Sequence, residues 1–107
     1  GRLPVSPEQL AAIRDALWGV ANRDYGTAYW VFKDFEIPVA GKTGTAETPG
    51  GSPHAWFAGY APADNPRIAM AIVVENSGEG SVAAAPVFRR LVEPFLGIEK
   101  QEEQPPP

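Results

Sequence analysis

The segment Ile68-Ala69-Met70-Ala71-Ile72-Val73-Val74 limits what this chain can fold into more than any other stretch, because it has no polar side chain on either parity. Its length and β-branched content read as a strand over 68–75, and a strand apolar on both faces belongs in a sheet covered on both sides. Helices are therefore expected above and below it. The dense turn signal Pro62-Ala63-Asp64-Asn65-Pro66 precedes it and joins it to a strand over 54–61, so the two form an antiparallel hairpin. A further strand over 37–46, rich in Ala and Gly, is set off by Pro49-Gly50-Gly51-Ser52-Pro53.

Two helices are available as cover. Ser6 can cap the first, Pro7 suits its first position, and Gln9 can close a capping box; Leu10, Ile13, Leu17 and Val20 then form one apolar stripe, with an end near Asn22. The second is expected over 81–96, with Val87, Leu91, Val92 and Phe95 on its apolar face, Pro86 in or near its first turn and Gly97 as a stop. The aromatic stretch 25–35, with Tyr29, Trp30, Phe32 and Phe35, has no clean period and reads as a structured connection. The fold class that results is α+β: three antiparallel strands with an N-terminal and a C-terminal helix packed on them. One domain segment is expected over 1–98. Residues 99–107, acidic and proline-rich without apolar side chains, are expected to be a disordered tail.

Of the 107 residues, 44% are hydrophobic and 21% charged, which is ordinary globular composition. The net charge of -4, with basic residues scattered, gives no footprint for nucleic acid or an anionic membrane surface. With no cysteine and one histidine, a zinc cluster and a disulfide framework are both excluded.

The chemistry concentrates in Gly41-Lys42-Thr43-Gly44-Thr45, on a strand. Glycine inside a strand weakens it and often marks close approach of a ligand or another backbone, the part expected of Gly44. Lys42 brings a positive charge, Thr43 and Thr45 bring hydroxyls, and an open strand edge can pair with an extended peptide. A peptide-like anion is the ligand that suits all three. A phosphate loop does not fit, since Glu36 stands where that motif needs glycine and the segment does not enter a helix. For a lone tripeptide, a snorkelling lysine between packing glycines is the plainer alternative.

The wider context is a family resemblance. Lys42-Thr43-Gly44 resembles the third motif of penicillin-binding proteins and serine β-lactamases, S-x-x-K, S-D-N and K-T-G. Over 3–97, Gly26-Thr27-Ala28, the Gly41 to Glu47 run, His54-Ala55-Trp56-Phe57-Ala58-Gly59-Tyr60-Ala61-Pro62 and the strand ending in Glu75-Asn76 are similar in order and spacing to elongation-type, class B penicillin-binding proteins of the penicillin-binding protein 2 group. That resemblance implies a segment of the penicillin-binding/serine β-lactamase-type sheet, and a parent D,D-transpeptidase that cross-links peptidoglycan through a serine acyl-enzyme. It also implies an N-terminal membrane anchor outside this chain and action on the extracytoplasmic face of the bacterial cytoplasmic membrane. The partners implied are stem peptides ending in D-Ala-D-Ala, β-lactams, and the remaining part of the same domain; no cofactor or metal is implied. Lys42 would set the electrostatics near the serine, Thr43 would grip the substrate carboxylate, and the Thr45 N–H would form half of the oxyanion hole. Trp56 would line the cleft, with core packing an equal alternative.

Neither S-x-x-K nor S-x-N occurs in the chain. An oxyanion donor without its nucleophile and base cannot form an acyl-enzyme, so the chain alone is expected to be inactive. The family's sheet has five strands, which would leave one edge of the strand over 68–75 bare here and open to self-association or to the rest of the domain. Two alternatives stand beside this reading: a penicillin-recognising sensor domain, and a non-catalytic interaction module. His54 is expected to face solvent at a strand start, since no G-x-S-x-G surrounds Ser52 or Ser77; Glu75 and Glu79 are expected to be solvated.

Overall fold

A computed structural model describes the backbone of residues 1–103 and the side chains of residues 1–97. Helix α1 (Pro7–Asn22) starts as its local sequence dictates: the Gln9 N–H donates to the Ser6 hydroxyl while the Ser6 N–H donates to the Gln9 side chain. That reciprocal pair satisfies donors that every helix start leaves open. The aromatic connection contains a single turn, α2 (Tyr29–Phe32). Three strands follow, β1 (Ala40–Thr48), β2 (Gly51–Ala61) and β3 (Ile68–Val74), as one antiparallel sheet in the order β1-β2-β3.

Strand β1 begins later than expected because the residues before it spend their carbonyls elsewhere: Pro38 accepts from the Ala63 N–H and Val39 from the Asn22 side chain. It also ends later, since Gly50, with φ of 70°, closes a tight turn that carries both strands past the expected 49–53 break. The final helix is likewise not one element. Residues Gly80–Ala83 form a single turn, α3, and α4 runs over Ala85–Glu103 with Pro86 in its first turn. It passes through Gly97 into the segment expected to be disordered; residues 104–107 lie outside the described residues.

The core lies between one sheet face and α2, α3 and α4. Its centre is three rings: Phe57 on β2, Phe88 on α4 and Phe32 on α2, with centroids 4.9 Å (57–88), 5.6 Å (32–57) and 6.2 Å (32–88) apart. The two pairs that Phe88 makes are edge-to-face, and buried aromatic pairs of this kind add about 0.5–1.5 kcal/mol each beyond their area. Gly41 and Gly59 stand opposite each other in the ladder to make room for the Phe57 ring. A Cβ at Gly41 would meet the Phe57 ring at 2.7 Å, and one at Gly59 would meet it at 2.8 Å.

The opposite sheet face is not covered as the apolar strand suggested. Ile68, Met70, Ile72 and Val74 are half-buried towards the core, while Ala69, Ala71 and Val73 are exposed. Helix α1 overlies only the β1 side of that face, through Leu17; Ile13 of its stripe stays exposed. The sheet is therefore sandwiched on one side and open on the other among the described residues. The far edge of β3 is unpaired there as well.

Candidate functional site

Strand β1 is an edge strand, and the site straddles it. Directly opposed residues of an antiparallel pair share a face, so Lys42, Gly44 and Trp56 lie on the open face, with Lys42 opposite Ala58 and Gly44 opposite Trp56. Thr43 and Thr45 project to the other face, opposite Phe57 and Ala55. The side chains of the Lys-Thr-Gly-Thr run are thus split between two faces and meet only at the strand's free edge.

The backbone direction at that edge is fixed by a close packing contact. Gly80, buried at the start of α3, lies so near the sheet that a Cβ there would stand 2.1 Å from the Trp56 carbonyl oxygen, 2.6 Å from the Gly44 oxygen and 2.9 Å from the Gly44 nitrogen. All three atoms surround one point, so the Gly44 N–H and C=O point inward, towards β2. Alternation along a strand then turns the N–H and C=O of Thr43 and Thr45 outward, to the free edge. Lys42 confirms the direction: its Nζ donates to the Thr43 carbonyl at 2.9 Å. Gly44 itself carries no such steric demand, since a Cβ there would meet only the Trp56 Cβ, at 3.3 Å.

Thr43 has a hydroxyl partner that the sequence did not single out by role. The Oγ1 atoms of Thr27 and Thr43 are 2.8 Å apart, a hydrogen bond between positions 16 residues apart. Thr27 is placed by its neighbours. The Gly26 N–H donates to the Arg23 carbonyl at 2.8 Å, and the Ala28 N–H to the Val20 carbonyl at 3.0 Å. A Cβ at Gly26 would stand 2.3 Å from the carbonyl oxygens of Gly19 and Val20, and Ala28 is fully buried. Gly-Thr-Ala is therefore a glycine for close approach to α1, a hydroxyl aimed at β1, and a methyl that fits the core.

An open groove runs between the end of α1, the 25–27 loop and Lys42, with Arg23, Tyr25 and Thr27 along it. Arg23 forms an ion pair with Asp15 at 2.9 Å, and that hydrogen bond raises its pKa above the ordinary arginine value. Among the described residues no carboxylate pairs with Lys42.

The remaining candidates separate clearly. Trp56 is exposed beside Gly44, and Tyr60 is half-buried on the same face. His54 is not a free strand-start side chain: its Nδ1 accepts from the Asn76 N–H at 3.0 Å, while the Asn76 side chain donates to the Ser52 carbonyl at 2.9 Å. These bonds tie the β3–α3 turn, where Asn76 has φ of 50°, to the start of β2 and so help to seat Gly80 on the sheet. Glu75 and Glu79 are exposed, as expected.

Residues 1–93 match the family model of the penicillin-binding protein transpeptidase domain. The chain belongs to that family. Its relatives include peptidoglycan D,D-transpeptidase MrdA of Haemophilus influenzae, 36% identical over 100 residues that cover 79% of this chain and 15% of the relative. The crystal structure of Pseudomonas aeruginosa PBP2 in complex with WCK 5153 superposes with a TM-score of 0.82 at 36% identity, over 89% of this chain and 20% of that one. Penicillin-binding protein A of Mycobacterium tuberculosis, as its imipenem acyl-enzyme complex, matches with a TM-score of 0.71 at 33% identity, over 90% of this chain and 21% of that one. The expected likeness to the class B penicillin-binding protein 2 group and the α+β fold class are both borne out. This transpeptidase-domain chain spans about a fifth or less of each relative's length.

Proposed function

We propose that this chain is the substrate- and β-lactam-gripping part of a peptidoglycan D,D-transpeptidase, in which a serine supplied by the rest of the domain carries the acyl group. The observation that carries the reading is the free edge at Thr43 and Thr45, flanked by a lysine that no carboxylate neutralises among the described residues. In this reading the terminal carboxylate of a D-Ala-D-Ala stem, or of a β-lactam, accepts from the Thr43 hydroxyl in the field of Lys42. The outward Thr45 N–H is one preorganised donor for the oxyanion that forms at the attacked carbonyl; the other is the nucleophile's own N–H. Gly44 keeps the strand surface low where the ligand backbone lies, and Trp56 borders it. Parallel support comes from the M. tuberculosis relative, a penicillin-binding protein solved as an imipenem acyl-enzyme.

The remainder of the domain also answers the uncovered sheet face. The exposed Ala69, Ala71 and Val73 and the bare β3 edge form the seat on which it packs, and the same surface drives self-association when it is absent. The described helices include none long and apolar enough to cross a membrane. The parent's placement on the extracytoplasmic face of the bacterial cytoplasmic membrane, anchored by an N-terminal helix, rests on the likeness to cell-wall enzymes.

Fluorescent penicillin tests this directly. The chain alone takes no covalent label, because S-x-x-K and S-x-N are absent from it. Mixed with the N-terminal part of its domain, it restores labelling, and Lys42→Ala in the intact domain lowers the labelling rate by about tenfold or more. Covalent label on the chain alone, or an intact Lys42→Ala domain that labels normally, would overturn the reading.

A further inference from the structure

We propose that Thr27 is a positioning residue for carboxylate recognition: its hydroxyl donates to the Thr43 hydroxyl and thereby leaves the Thr43 proton free for the ligand. The inference rests on the reading of Thr43 given above. A hydroxyl has one proton and two lone pairs, so a bonded pair of hydroxyls spends one proton and keeps one. The 2.8 Å separation between Thr27 and Thr43 is that of a well-formed O–H···O bond. If Thr43 were the donor, its proton would point away from the strand edge and the carboxylate would meet only lone pairs. With Thr27 as donor, the Thr43 proton can turn to the edge where the backbone of Thr43 and Thr45 is open.

The surroundings favour that direction. Lys42 lines the same groove as Thr27, and no described carboxylate neutralises it, so the local field attracts an anion. An anion that accepts from Thr43 polarises Thr43 as a better acceptor for Thr27, so the two bonds strengthen each other. The geometry is also prepared in advance. Gly26 and Ala28, the residues on both sides of Thr27, are bonded to the carbonyls of Arg23, which caps α1, and of Val20 within it. The β-branched side chain then has few rotamers left to lose when the ligand arrives. Valine at this position keeps the shape and removes the proton; serine keeps the proton and loosens the rotamer.

The test uses the intact transpeptidase domain and reads the second-order rate of acylation by benzylpenicillin and by its methyl ester, which lacks the carboxylate. Thr27→Val is expected to slow acylation by the acid roughly three- to tenfold, the range of one neutral hydrogen bond, and to leave the ester rate unchanged. Thr27→Ser restores most of the loss. Thr27→Ala, a second variant without the hydroxyl, gives the same selective loss even if valine shifts the melting temperature. An equal loss on acid and ester, or no loss on the acid, overturns the role of Thr27. If the unmodified domain fails to distinguish acid from ester, the carboxylate grip of Thr43 fails first, and the proposed function with it.

Discussion

Gly80 and Gly44 touch across the sheet surface, yet a methyl group added to one is not equivalent to a methyl group added to the other. At Gly80 it would overlap the Trp56 and Gly44 backbone at 2.1–2.9 Å, where nothing can swing aside. Overpacking of this sort costs about 1–3 kcal/mol, which outweighs the helix propensity gained, so Gly80→Ala should lower the urea midpoint of the intact domain. At Gly44 the added carbon meets only the Trp56 Cβ at 3.3 Å, and Gly44→Ala should change stability by less than about 1 kcal/mol. Because that carbon would stand on the ligand's side of the strand, Gly44→Ala should still slow penicillin acylation by about tenfold or more. A Gly44→Ala domain that is unstable but fully active would refute this division. The sequence cannot make it: Gly41 and Gly44 look alike in the run, but one accommodates Phe57 and the other faces only the Trp56 Cβ among the described residues. That Lys42, Thr43 and Thr45 share one strand is legible because a strand motif is local. Thr27 was visible only as part of a family pattern, because its bond to Thr43 exists only after α2 has turned the chain back.

Elements whose signals are local came through, and those that depend on neighbours did not. The start of α1 is written in Ser6-Pro7-Gln9 and was formed as written. The stop at Gly97 failed because glycine ends a helix by adopting a positive φ, and Gly97 does not adopt one. In a helical φ it only weakens the helix by about 1 kcal/mol. β3 is the strand its apolar run predicts, but the same run predicts cover on both faces, and hydropathy does not say whether that cover comes from the same chain. What holds the sheet to its helices is narrower than the pattern suggested. Phe88 is the α4 ring that reaches both Phe57 and Phe32, and Val92 one turn on is fully buried beside the same core. Phe88→Ala should therefore destabilise the intact domain by about 3–5 kcal/mol, whereas Leu91→Ala, on the half-exposed side of α4, should cost about 1 kcal/mol or less. Equal urea midpoints for the two variants would mean that α4 does not dock through Phe88.

For the molecule as a whole, one side of the sheet is a packed core and the other is open among the described residues. Trp56 and Val73 are 41% and 45% exposed on that open side, next to Ala69 and Ala71, and the neighbouring β3 edge has no partner among the described residues. Such a surface has two ways to leave water: against a second copy of the chain, or against the rest of the transpeptidase domain. The proposed function takes the second as the native arrangement; this chain spans 15–21% of the relatives it matches. Ala71→Glu separates surface from core, since residue 71 is exposed here and its side chain faces away from Phe57. In sedimentation, the unmodified chain should grow in mass with concentration and the variant should remain monomeric. When the variant is mixed with the N-terminal part of the domain, the buried, unpaired carboxylate costs several kcal/mol, so restored penicillin labelling should fall by about a hundredfold or more. Val82→Glu, on the 70% exposed flank of α3, is the matched control and should label normally. If Ala71→Glu restores labelling as well as the control does, the open face is not where the domain is completed, and the two halves must meet along the β3 edge alone.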